Sequence, residues 1–565
     1  MMSPMTPTRS DWPTFLFVQF ITFAFAILAG WLIYTQGVTD LPLMDEWDLL
    51  GEWFLRPDEA KPGWFFSHHC EHRYPLGKLV WMTTLQITNW NFRAPMYLSV
   101  GLLTASSLLF QWTARGWRGR SSLVDVLFPA LLLHWGHAFN LTMSYQVGFV
   151  LFAYGVAGWI WAARLAAANE SKLALFLAAF YAGSIAFCGG FGLAFTPAIV
   201  GWLLTAAWQW RSKSRWVSAV LIAFAVGIAG YSGWIYATMP KFVVETGLRP
   251  TREPLAFAAV ALTYLAVGGY GWLAHLPQWV AATVVVLVAA IYACAVFRSL
   301  RSKLPLALAA AAIAVLVGEC IIGAATAYAR GGAMADRYAT PSSVGLAVAL
   351  LVLLTRPQQT GDRWWRGILA MAAAVGLGTF HVTIALIGAM QLRLASDEFR
   401  RDVQSGATPI LLAGRYGGGR SVLVSDRSAV EMVLFRRGEL PLFAELRDDP
   451  PYRSETVPGR WPSMLKAESQ SEDALVTVAG PPPARARILR IVVRCGPETA
   501  MDFVSATASP SGHRQYARIN PNGISNGLAF EVRPGDERFE VVLVSFRGDA
   551  EVVEAVWLID DSPAK

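Results

Sequence analysis

Residues 13–34 read PTFLFVQFITFAFAILAGWLIY, an apolar run without a single charge. About 20 such residues cross ~30 Å of hydrocarbon as a helix. Shortly beyond comes Met44-Asp45-Glu46-Trp47-Asp48, and then His68-His69-Cys70-Glu71-His72-Arg73-Tyr74-Pro75. A membrane span followed by a loop dense in acids, histidines and arginine points to chemistry at a membrane surface. The remainder of the chain decides the number of spans and which side that surface faces.

The chain has 565 residues, 54% hydrophobic and 15% charged, so a membrane region with room for a soluble part is expected. Eleven runs are long and apolar enough to cross: 13–34, 95–113, 122–140, 145–165, 172–188, 191–210, 216–236, 277–297, 304–325, 338–355 and 367–390. The first lacks a small-residue cleavage site and is expected to stay as an anchor. Arg115, Arg118 and Arg120 share one short connection; Arg164 and Lys172 flank the next. Further basic groups follow at Arg211/Lys213/Arg215, Arg298/Arg301/Lys303 and Arg356/Arg363/Arg366. Basic residues at span ends mark the cytoplasmic face. All five groups share that face if 255–275, broken by Gly268, Gly269, Gly271 and Pro277, is a re-entrant or surface helix. The amino terminus is then cytoplasmic, and the first loop and residues 391–565 are extracytoplasmic.

The expected architecture is a polytopic α-helical membrane protein of about 11 transmembrane helices with a C-terminal, mainly β domain outside the membrane. Residues 1–390 form the membrane domain, with 35–94 a first external loop carrying interfacial helices at 45–55 and 76–90. Residues 391–472 form a mixed α/β connection with a short helix at 429–434. Residues 473–565 carry short β-rich runs, such as 488–493, 528–532, 539–545 and 551–559, and are expected to form a small sandwich. The cysteines at 70, 188, 294, 320 and 495 follow no metal or disulfide spacing, and a Cys70–Cys495 bridge is not expected.

Asp45 and Glu46, set among Leu41, Leu43, Met44, Trp47, Leu49 and Leu50, could deprotonate a hydroxyl or hold a divalent cation such as Mg or Mn. Arg73 offers a planar fork of donors for a lipid phosphate, and His69, Glu71 and His72 could orient the same group. The alternatives are a solvated acid and an arginine on ordinary headgroups. Arg330 and Arg337 flank a Gly-Gly turn on the external side, against the charge rule, which a phosphate ligand or pairing with Asp336 or Glu319 would explain. Glu319 lies inside a span and calls for a partner. His134, His137, Asn140 and His381 read as interfacial polar residues, and the span-end tryptophans as an aromatic belt.

Together these residues resemble the GT-C superfamily of membrane glycosyltransferases. Met44-Asp45-Glu46-Trp47 is similar to the Asp-Glu pair opening the first external loop of protein O-mannosyltransferases and aminoarabinose transferases. Arg73-Tyr74-Pro75-Leu76 occupies the place of a Lys-Pro-Pro-Leu segment, with Arg for Lys and Tyr for the first Pro. Arg330 and Asp336-Arg337-Tyr338 resemble the arginine and Ser-Arg-Tyr elements of bacterial relatives, with Asp for Ser. The resemblance covers about residues 10–390.

It implies an inverting transferase in a bacterial inner membrane, taking sugar from a polyprenyl-phosphate-linked donor to a lipid, glycan or protein acceptor. Asp45 would be the base, Glu46 would orient the acceptor or a metal, and Arg73, Arg330, Arg337 and Tyr338 would hold the lipid phosphate. The C-terminal domain would be periplasmic. No cofactor is certain, and no nucleic-acid partner is expected. The rival readings are a glycolipid or anion transporter or flippase, and a polymerase or ligase of lipid-linked glycans. Transport favours inverted repeats and mid-membrane charge, and the sequence shows no repeat.

Overall fold

The computed structural model describes residues 12–35, 41–43, 45–67, 73–238, 253–266, 278–301, 305–330 and 338–354, parts of 393–412, and 452–561 with breaks. In chain order the helices are α1 (Trp12–Thr35), α2 (Asp45–Leu55), α3 (Lys61–Trp64), α4 (Pro75–Ile87), α5 (Arg93–Arg118), α6 (Leu127–Leu132), α7 (Ala138–Thr142) and α8 (Val147–Asn169). They continue as α9 (Lys172–Ile185), α10 (Gly190–Trp210), α11 (Arg215–Ala237), α12 (Pro254–Ala266), α13 (Gln278–Arg301), α14 (Leu306–Arg330) and α15 (Ala339–Leu354). The chain divides into two compact units, Met1–Val38 with Pro62–Met390, and Thr39–Lys61 with Gln391–Lys565.

The first unit is a helical membrane body. Among the described residues, seven helices are long and apolar enough to cross a membrane: α1, α5, α8, α10, α11, α13 and α14. The outer side of α1 carries exposed Phe20, Phe23 and Ile27, as hydrocarbon contact requires. Its inner side is clasped to α5 by Gln19, whose amide donates to Gln111, and by Gln111 donating to Thr22, both at 2.7 Å. α5 packs on α8, α8 on α9, and α10 on both α11 and α14.

The structure departs from the expected spans where polar side chains compete with the helix backbone. Residues 122–140 form no continuous helix but α6, α7 and short 3₁₀ turns. His134 Nδ1 accepts the Gly136 N–H, while the His137 ring is engaged by Leu131 O at 2.8 Å and Thr340 Oγ1 at 2.9 Å. Asn140 donates to the same Thr340 hydroxyl at 2.7 Å. These residues are thus a buried tie between the broken segment and α15, not interfacial polar groups. α9, at 14 residues, is shorter than a full crossing, and α12 and α15 are described over 13 and 16 residues. The expected span at 367–390 and the helix at 429–434 lie outside the described residues, as do Cys70 and His381.

Among the described residues, the second unit holds α2, residues 396–404 in helical conformation, and nine strands. The strands are β1 (Tyr452–Thr456), β2 (Leu465–Ala467), β3 (Ala474–Ala479), β4 (Ala486–Cys495), β5 (Phe503–Ser509), β6 (Arg514–Ala517), β7 (Ser525–Glu531), β8 (Arg538–Val544) and β9 (Gly548–Asp560). One antiparallel sheet runs β1-β9-β4-β7 with β2 also on β9; the other runs β3-β8-β5-β6. Leu489 stands opposite both Trp557 and Phe530, and Trp557 meets Phe539 of the other sheet at 5.7 Å between ring centroids. That aromatic pair, with Ile491 and Val541, is the centre of a two-sheet core. The strands begin at Tyr452, about two strands earlier than the alternation at 473–565 indicates, because β1 (YRSET) is a short polar edge strand and β2 has three residues.

Candidate functional site

The acids of the first loop open α2. Asp45, Glu46 and Asp48 occupy its first turn, where the positive end of the helix dipole favours carboxylates. Glu46 is fully buried, and its Oε2 accepts the Leu43 N–H at 2.8 Å while its own N–H donates to Leu43 O at 3.0 Å. This reciprocal pair satisfies backbone groups at the helix start, as a capping box does. Asp45 is half-buried beside it. Adjacent helix positions project roughly 100° apart, so Glu46 is turned to the buried cap while Asp45 is the more exposed of the two. Among the described residues no group of three His, Cys, Asp or Glu side chains could hold a metal ion.

The rest of α2 is deeply packed, not spread on a surface: Trp47, Leu49, Leu50, Trp53 and Phe54 are buried, and Trp47 lies 6.1 Å from Phe399. The helix is followed by a pair in which Lys61 Nζ stands 2.6 Å from Asp58 Oδ1. The hydrogen bond from Lys61 holds the Asp58 carboxyl below its ordinary value. Removing the Glu46 carboxylate by Glu46→Ala is expected to cost about 1–2 kcal/mol through the lost cap, whereas Glu46→Gln keeps an acceptor. Thermal melting of the purified variants separates the two.

Arg73 belongs to the first unit and sits just before α4. Its placement is fixed from three directions. Leu76 N–H bonds to Phe187 O at 3.2 Å, which ties the start of α4 to the turn between α9 and α10. Tyr74 packs against Gly189, whose φ of 104° and missing side chain admit its Cβ. The Arg73 guanidinium lies over the Trp234 ring of α11, 4.5 Å from its centroid. One turn before Trp234, the Tyr231 ring lies tilted against Phe187, 4.4 Å between centroids, and among the described residues its buried hydroxyl has no hydrogen-bond partner.

Tyr338 reaches the same end of α10. It is buried, 5.4 Å from Phe191 and 6.4 Å from Tyr264 between ring centroids. Arg73-Tyr74 and Tyr338 therefore border one helix end, through Gly189 and Phe191, two residues apart. Met44, His69, Glu71, His72 and Arg337 lie outside the described residues, as does the Arg330 side chain. Asp45 and Glu46 belong to the second unit, so the structure describes the base candidates and the arginine niche separately.

Three residues matter here that motif reading passed over. Lys78, three positions after Pro75, is fully buried and donates to Trp64 O (3.1 Å), Ser67 O (3.1 Å) and Ser67 Oγ (2.9 Å). It also lies over the Trp64 ring at 4.6 Å, so this cation organises the segment ahead of Arg73. Its signal was a lone lysine in the otherwise apolar run PLGKLVWM. Trp234 and Tyr231 were hidden among the span-end aromatics of the belt.

No family model matches the chain. No curated protein matches it by sequence. Among solved structures, the chain is similar to ArnT from Cupriavidus metallidurans bound to undecaprenyl phosphate, with a TM-score of 0.37 and 15% identity over 74% of this chain and 76% of that one. It is also similar to the arabinosyltransferase EmbB from Mycobacterium smegmatis, with a TM-score of 0.31 and 12% identity over 99% of this chain, which spans 65% of EmbB. On its own helices and sheets, the chain is a polytopic α-helical membrane protein with a C-terminal antiparallel β-domain.

Proposed function

We propose that this chain is a GT-C-type membrane glycosyltransferase that moves a sugar from a polyprenyl-phosphate-linked donor to a hydroxyl of a lipid, glycan or protein acceptor. The observation that carries the proposal is the Arg73 niche: a guanidinium held against Trp234, with the desolvated Tyr231 hydroxyl one helical turn away. A fixed arginine beside an unsatisfied O–H donor suits a phosphate monoester or diester, which accepts several hydrogen bonds at once. Arg330 and Arg337, placed by sequence at the Tyr338 end, would add positive charge, and His69, Glu71 and His72 would orient the donor.

In the reaction, Asp45 takes the proton of the acceptor hydroxyl. The acceptor oxygen attacks the anomeric carbon from the face opposite the phosphate, and the bond to the phosphate oxygen breaks with its electron pair passing to that oxygen. The arginines stabilise the released phosphate charge. The anomeric centre inverts in one displacement. Glu46 positions Asp45 by fixing the start of α2. The chemistry would take place at the external face of a bacterial cytoplasmic membrane, with the amino terminus inside and the β-domain in the periplasm.

The test is binding of a short-chain polyprenyl phosphate to the full chain in detergent. A hydrogen bond to a charged group contributes ~1.5–3 kcal/mol, so Arg73→Gln and Tyr231→Phe should each weaken binding about 10-fold or more. Unchanged affinity in Arg73→Gln would remove the phosphate site from the proposal.

A further inference from the structure

Four helices of the first unit meet at one acid that the transfer chemistry does not use. Glu319, within α14, is 0% exposed. Its Oε2 accepts a hydrogen bond from the Tyr264 hydroxyl of α12 at 2.9 Å, and among the described residues its Oε1 has no partner. Tyr292 of α13 is buried as well, and its hydroxyl likewise has none among them. α15 passes the same point at Gly345, where a Cβ would collide with Tyr292 Oη and the Glu319 side chain. The missing side chain therefore leaves the space that the carboxyl and the tyrosine share. One turn earlier, Ser342 Oγ donates to Leu265 O at 3.2 Å and closes α15 onto α12.

Among the described residues no cationic side chain pairs with Glu319; its one hydrogen-bond partner is a neutral hydroxyl. A carboxylate without counter-charge at such a position carries a desolvation cost of several kcal/mol. A carboxylic acid does not, and it offers one donor in addition to its acceptors. The neighbours suit that pattern: Tyr264 donates to Oε2, and the Tyr292 hydroxyl shares with the carboxyl the space that Gly345 leaves open. The other titratable groups at this junction are the adjacent Cys320 thiol and Tyr338, which borders Tyr264.

We infer that Glu319, Tyr264, Tyr292 and Gly345 form an intramembrane proton-binding site, with the proton on Glu319 Oε1 directed at Tyr292. The inference stands apart from the proposed transferase activity. Gln at 319 reproduces the acid's pattern, with a carbonyl to accept from Tyr264 and an N–H₂ to donate to Tyr292; Leu does not.

The experiment is infrared difference spectroscopy on the full chain in lipid vesicles, supported by thermal melting. The expected result is a carboxylic C=O band in wild type that disappears in Glu319→Gln and shifts to higher frequency in Tyr264→Phe, which loses the donor to Oε2. Glu319→Gln should keep the wild-type melting midpoint while Glu319→Leu lowers it. Loss of only carboxylate bands in Glu319→Gln, with melting as low as that of Glu319→Leu, would overturn the site. Should the 319 variants fail to fold, an unshifted C=O band in Tyr264→Phe would overturn it equally.

Discussion

Asp45→Asn is expected to lower sugar transfer by about 10²–10⁴-fold, the usual contribution of a positioned general base, and to leave folding and polyprenyl phosphate binding unchanged. The substitution preserves side-chain volume and a hydrogen-bonding terminus, so the first turn of α2 persists. The Glu46–Leu43 pair, which the substitution keeps, holds that turn. In the proposed site the donor phosphate is held by Arg73 and its neighbours, none of which the substitution replaces. The prediction therefore splits binding from chemistry, and a transfer assay run beside the binding assay reads both. An Asp45→Asn variant with full transfer activity would end the assignment of Asp45 as the base, and parallel loss of binding would make it a donor-binding residue.

Arg118→Met should destabilise the membrane unit by about 3–5 kcal/mol. Arg118 at the end of α5 donates through Nη2 to both oxygens of Asp125, and the two side chains are 3% and 2% exposed. Asp125 Oδ2 also accepts the Ser122 N–H at 3.0 Å, completing the cap of the following 3₁₀ turn. Removing the guanidinium takes from the buried Asp125 the cation that donates to both its oxygens, which costs more than the pair contributes. The double variant Arg118→Met/Asp125→Asn should recover much of the loss, because the buried negative charge goes with it. Melting curves in detergent for the two variants check this; a single variant within about 0.5 kcal/mol of wild type would show that Asp125 finds other compensation.

The long helices were legible because nothing in their sequences competes with helix formation. α1 and α11 match the apolar runs 13–34 and 216–236 to within a residue or two. α2 was legible too, at 45–55, since acids begin it and Trp47, Leu50 and Phe54 repeat at helical spacing. What composition could not show was the fate of that apolar face. It is buried within the unit that holds the β-domain, through a contact with Phe399 more than three hundred residues later. Residues 122–140 have the hydropathy of a span, yet His134, His137 and Asn140 find partners only in a broken backbone facing Thr340. Arg118 counted toward a cytoplasmic charge cluster, and its buried pairing with Asp125 is invisible to a rule that tallies basic residues.

At the candidate site, Arg73 was legible as a cation in an apolar setting, but its platform was not. Trp234 and Tyr231 come from a helix some 160 residues on, and only tertiary packing brings them to it. Lys78 was overlooked because a helical lysine is ordinarily solvated; here the carbonyls of Trp64 and Ser67 take its place in water. Glu319 was recognised as an acid needing a partner, and Tyr264 was not foreseen because it lies in the Gly-broken stretch 255–275, which reads as a re-entrant or surface helix apart from the spans.

The most direct measurement of the central claim is mass spectrometry of lipids co-purifying with the wild-type protein and with an Arg73→Ala/Arg330→Ala/Arg337→Ala variant. A polyprenyl phosphate, or its glycosylated form, with the wild type and its loss from the variant is the predicted result, and the mass of the glycosylated species would identify the class of sugar. Bulk phospholipid alone in both preparations would contradict the phosphate-binding role of these arginines and, with it, the proposed donor.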